Sequence, residues 1–105
     1  MFVDQDGPDP NFSATTAVAD GIATVTVTGE VDMSTADAMV RAATKDAAPA
    51  ATLDLRQVTF FDSAAIHAVL QLAEQLGSGL TVLPSTQVRR VLEISGLAGQ
   101  PWLSD

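Results

Sequence analysis

Asp62 and Ser63 follow a run, Leu53-Asp54-Leu55-Arg56-Gln57-Val58-Thr59-Phe60-Phe61, that closes on two aromatic residues. A serine hydroxyl behind a carboxylate, with the sole histidine four positions on at His67, admits three chemistries. It can cap a helix, act as the nucleophile of a Ser/His/Asp hydrolase or accept a phosphate. By position alone, Ser63 reads as a helix N-cap. The hydrolase reading is the weakest. There is no G-x-S-x-G elbow, and a histidine one turn along the same helix is poorly placed to take the hydroxyl proton. Asp32 is a second acid in a loop position, in Glu30-Val31-Asp32-Met33 ahead of Ser34-Thr35. With no cysteine and one histidine, the chain has no thiolate nucleophile and no ligand set for a metal. Gly77-Ser78-Gly79 is too short to cradle a phosphate and lacks the lysine.

These residues need a frame, and the hydrophobic pattern supplies one. Residues 1–11 read as an acidic tail with two prolines and no period. From Phe12 the chain alternates as a strand does. Asp20-Gly21 then predicts a tight hairpin into a β-branched run, Ile22 to Val31. In that run Val25 and Val27 face one way and Thr24, Thr26 and Thr28 the other. Ser34 is the expected N-cap of a first helix reaching about Ala47, with Ala36, Met39, Val40 and Ala43 on one face.

Ala51 to Leu55 predicts a third strand and residues 56–61 a loop. Asp62-Ser63 opens a second helix whose expected buried stripe is Ile66, Val69, Leu70, Ala73 and Leu76, with Gly77 at its end. Leu80 to Leu83 is a fourth strand. Ser85 caps a third helix that Gly96 stops, and Trp102-Leu103 is a last short strand or a clasp. The order β-β-α-β-α-β-α predicts an α/β domain with a four- to five-stranded mixed sheet, begun by an antiparallel hairpin.

Composition excludes several function classes. The 105 residues suit one domain, expected over 12–105. Thirteen acidic against five basic side chains give a formal charge of −8, which opposes binding to nucleic acid or to an anionic membrane. The acidic N-terminus is no secretory signal, and no apolar run reaches the ~20 residues of a membrane span. Without cysteines to oxidise, the cytoplasm is the expected compartment.

Two segments are more specific than the alternation. Gly29-Glu30-Val31-Asp32 running into Ser34-Thr35-Ala36, and Leu53 through Ile66 with Asp62-Ser63 at its centre, together resemble the STAS domain. Within it they are most similar to the bacterial anti-sigma factor antagonists, with their "GELD…TA" and "LDLSGVTFIDSSG" stretches. The likeness spans nearly all of Phe12 to Leu103. It implies a non-enzymatic regulator that binds an anti-sigma factor, itself a serine kinase, and so releases a sigma factor. It implies phosphorylation of Ser63 by that kinase and reversal by a PP2C-type phosphatase. No cofactor of its own is implied, since the nucleotide and Mg²⁺ belong to the kinase.

The same resemblance places Asp32, Asp62, Ser63, Ala64 and His67 on the partner-binding face. Ala64 stands where a second Ser or Thr is common in the family. Ala65 and His67 stand where small residues, often glycine, are common. The alternative implied by the same family is a STAS subunit of an ABC-type lipid transport complex.

Overall fold

The computed structural model describes residues 11–104. β1 (Phe12–Ala19) and β2 (Ile22–Val31) form the antiparallel hairpin. Asp20 and Gly21 both take positive φ, 54° and 77°, as a two-residue turn of this twist demands. β2 pairs in parallel with β3 (Ala50–Phe61), and β3 with β4 (Leu80–Pro84), so the sheet runs β1-β2-β3-β4. α1 (Ala36–Thr44) crosses from β2 to β3, and α2 (Ser63–Leu76) from β3 to β4. Both crossovers move in the same direction across the sheet, so right-handed connection puts both helices on one face, where they touch. α3 (Thr86–Ile94) packs on β3 and β4 through Val88 and Leu92.

One core joins these elements. Val25, Val27, Leu53, Leu55 and Val82 from the strands lie under Met39, Leu72, Val88 and Leu92 from the helices, all fully buried. On β2 the valines face inward as the alternation predicts, while Thr24 is exposed and Thr26 and Thr28 are half-buried on the opposite face. Trp102 and Leu103 act as a clasp. Val82 donates to the Trp102 carbonyl (2.8 Å), Ser104 donates to the Val82 carbonyl (2.9 Å), and Leu103 makes a single parallel bridge to Val82. That covers the outer edge of β4.

Four sequence expectations are corrected. Residues 56–61 are not a loop but the second half of a 12-residue β3. Two register shifts against β2, between Thr26 and Thr28 and between Gly29 and Glu30, each insert one extra residue in β3. The buried positions there are therefore Leu55, Val58 and Phe61, three apart instead of two, and the strand period is hidden.

The first helix ends at Thr44 rather than near Ala47, because Ala47 is already at φ 52°. Its N-cap is Thr35 rather than Ser34. The buried stripe of α2 is Ala65, Ala68, Val69 and Leu72, while Leu70 is exposed and Ile66, Ala73 and Leu76 are only partly covered. Apart from Asn11, whose carbonyl accepts from the Glu30 N–H (2.6 Å), the expected tail lies outside the described residues.

Candidate functional site

The site is built where β2 and β3 end together. Val31 and Phe61 are register partners, and the Asp62 N–H donates to the Val31 carbonyl (3.3 Å). Asp32 and Asp62 thus leave adjacent strands side by side, each leading into a helix. Carboxyl ends of parallel strands are where open α/β sheets present their working surfaces.

The two aspartates hold the two helix starts differently. Asp62 Oδ1 accepts from the Ala65 N–H (3.1 Å) and is the side-chain cap of α2. Ser63 is therefore not the cap expected from its position but the first helical residue. Its side chain is exposed, and its hydroxyl makes no hydrogen bond to any described residue.

Asp32 folds the turn ahead of α1. Its Oδ1 accepts from the Ser34 N–H (2.9 Å) and the Ser34 hydroxyl (2.7 Å), and lies 3.2 Å from the Thr35 hydroxyl. These donors, the Ser34 hydroxyl foremost, hold the Asp32 carboxyl below the ordinary aspartate value. Thr35, the buried polar residue of the turn, has its hydroxyl 2.9 Å from the Glu30 carbonyl and accepts from the Asp32 N–H (2.9 Å). Ser34, the residue chosen from sequence, is a surface hydroxyl serving Asp32, whereas Thr35 ties the turn to β2.

Gly29 makes this end of the sheet possible. At φ +89° it sits against the start of β1, and a Cβ there would run into the Asn11 carbonyl. The close approach seats Asn11 on Glu30.

Beside Ser63 an open groove of about 320 Å³ runs between α1 and α2. Met33, Ala36 and Asp37 line one side, and Ala64, His67, Ala68 and Gln71 the other. Of the expected partner-facing residues, Ala64 and His67 line the groove, and Ser63 and His67 are exposed on α2. Asp32 and Asp62 stand partly exposed at the strand ends. All five are thus brought to one end of the molecule.

The sequence reading missed Met33, which is 86% exposed. Its signal was an apolar side chain standing between two polar loop residues, Asp32 and Ser34. Residues 30–37 and 62–67 carry four carboxylates, one imidazole and no lysine or arginine. Among the described residues, no three His, Asp or Glu side chains gather as a metal site would require. No described helix is long and apolar enough to cross a membrane.

A family model described as "Mlab, STAS domain" matches residues 14–104. The chain belongs to the STAS family. Among solved structures of this fold, it is similar to an anti-sigma factor antagonist from Mycobacterium paratuberculosis. That likeness has 30% identity and a TM-score of 0.76, and covers 90% of this chain and 87% of that one. It also shares the STAS fold with the anti-sigma factor antagonist SpoIIAA in its unphosphorylated form, at 24% identity and a TM-score of 0.68 over 89% of this chain and 87% of the other. The Bacillus cell fate determinant SpoIIAA in its phosphorylated form gives 24%, 0.65, and 89% and 90% coverage. No curated protein sequence matches the chain. The four-stranded mixed sheet and the β-β-α-β-α-β-α order are those expected of the family.

Proposed function

We propose that this STAS domain is an anti-sigma factor antagonist switched by phosphorylation of Ser63. The observation that carries the reading is the free Ser63 hydroxyl. It sits exposed on the first turn of α2, with its capping duty taken by Asp62, beside the open groove of mixed polar and apolar lining between α1 and α2. The 30% identity to a structure described as an anti-sigma factor antagonist supports the role. A fold neighbour solved in both unphosphorylated and phosphorylated forms supports the means of control.

In this reading the unmodified face docks on an anti-sigma factor that is a serine kinase, and a sigma factor is released. Met33 and the floor of the groove supply apolar contact. Asp32, Asp62 and His67 border it. The kinase, carrying its own nucleotide and Mg²⁺, transfers a phosphoryl group to the Ser63 oxygen, and a PP2C-type phosphatase removes it. The domain itself catalyses nothing and works in the cytoplasm.

The phosphate adds about −1.5 to −2 charges at a helix start, where backbone N–H groups tolerate an anion, so the fold stands. It adds them beside Asp62 and Asp32 on a face that must approach another protein. Like charge there costs several kcal/mol, and ~3 kcal/mol weakens binding by more than a hundredfold. No change of shape is needed.

Mass spectrometry of the protein from its own host tests the reading. Phosphate on Ser63, and recovery of a kinase with Ser63→Ala as bait, support it. Protein that is never phosphorylated there, with a Ser63→Ala bait that binds no kinase, refutes it. The matching family model's description, "Mlab, STAS domain", names no sigma-factor role. A second reading therefore uses the same face to dock on the ATPase of an ABC-type transporter. Recovery of an ATPase with permease subunits, and permease genes adjacent to this one, would favour it.

A further inference from the structure

Resting on the phosphorylation of Ser63, we propose that His67 is the counter-charge for that phosphate, pairing with it across one turn of α2 and tying the off-state to pH. Both side chains are exposed on α2. They are four residues apart, so they lie one above the other on a single helix face. Helical side chains tend to lean toward the N-terminus, the direction in which Ser63 lies from His67.

Among residues 62–67, His67 alone can carry positive charge. In the groove it faces Asp37 from α1, with Met33, Ala36, Ala64, Ala68 and Gln71 completing the lining. In the adjoining hollow on α2, of about 350 Å³, it faces Glu74 with Leu70 and Gln71. The turn before α1 offers Asp32, already bonded to Ser34, and the turn after β3 offers Asp62, already capping α2. Neither lining contains a lysine or arginine. Ser63 follows Asp62 directly, so a phosphate there has a carboxylate beside it in the chain and His67 one helical turn on.

A phosphate at position 63 has a second ionisation near 6, and a histidine side chain can gain a proton beside it. Paired, they favour the protonated ring and the dianion together, and the two titrations are linked by equal amounts. The phosphoserine form is then most fully paired at mildly acidic to neutral pH and loses its counter-charge as the ring deprotonates.

The test is an NMR titration of protein with phosphoserine placed at position 63 during translation. The His67 ring protons and the phosphorus signal are followed from pH 5 to 8.5. The His67 midpoint should lie about half a unit higher with phosphate than without, the size expected of an exposed pair at this spacing. The phosphate midpoint should lie lower by a similar amount than in His67→Gln. His67→Lys should keep the phosphate midpoint low. His67 midpoints that coincide with and without phosphate, or a phosphate midpoint unmoved by His67→Gln, overturn the proposal. Because the phosphate is installed without any kinase, these outcomes are independent of whether the host modifies Ser63. Absence of phosphate in the host counts against the switch, and absence of coupling only against His67.

Discussion

Asp62 Oδ1 accepts the Ala65 N–H at 3.1 Å, and that single bond separates two roles that sequence position assigns to Ser63 alone. The carboxylate holds the helix start, and the hydroxyl next to it is left with no structural task. Asp62→Ala should therefore lower stability by about 1 kcal/mol, as lost N-caps do, while Ser63→Ala should fall within about 0.5 kcal/mol of the parent. Urea unfolding of both variants measures this. A larger loss from Ser63→Ala than from Asp62→Ala would return the cap to the serine.

Gly29 is fixed by backbone rather than by any side-chain chemistry. Gly29→Ala forces a non-glycine residue to φ +89° and drives its Cβ into the Asn11 carbonyl. Strain of this kind costs about 1–3 kcal/mol before the clash is counted. Thermal unfolding should show a drop of several degrees, and the Glu30 amide should lose protection from hydrogen exchange. A variant as stable as the parent would mean the β1 entry is less tightly seated than described.

Thr35 and Ser34 are adjacent hydroxyls with unequal consequences. Thr35→Val keeps the shape but strips partners from the Glu30 carbonyl and the Asp32 N–H, a loss of about 1–3 kcal/mol. Ser34→Ala removes an exposed donor and should cost less than about 1 kcal/mol. Chemical denaturation of the pair checks the order.

The Asp32 turn also has a pH signature. Its carboxyl is held below the ordinary value of about 3.9, so the bonds it accepts are complete above that value and are lost as pH falls through the lower folded one. The Ser34 amide resonance should stay constant from pH 7 to about 4.5 and move only at more acidic pH. Movement beginning near neutrality would contradict the bonding described.

Much of this was legible in the chain. Asp20-Gly21 announced the hairpin, because two consecutive positive-φ positions are what such a turn needs. Ile22 to Val31 and Leu80 to Leu83 carried the strand period openly. The far half of β3 did not, since each bulge advanced the inward position by three residues. Alternation ceased at Arg56, although the chain stayed extended to Phe61. On α2, Ala65 and Ala68 were overlooked because alanine marks a face weakly, and Leu70, a stronger marker, points to solvent.

At the candidate site, Ser63 and His67 were named from the motif and their spacing, and both lie exposed on α2. Met33 and Asp37 join the groove only through the packing of α1 on α2, a contact that no local pattern states. Whether an aspartate or its neighbouring serine caps a helix is decided by one residue of register, which sequence reasoning resolves poorly.

The central claim is that one oxygen, Ser63 Oγ, decides whether this face can be occupied. Its most direct test is the affinity of the anti-sigma kinase recovered from the host for two otherwise identical proteins, one with serine and one with phosphoserine at position 63. The account predicts a loss of about a hundredfold or more on phosphorylation, with Ser63→Asp weakened in the same direction and unchanged far-UV dichroism throughout. Equal affinities for the two forms would contradict it.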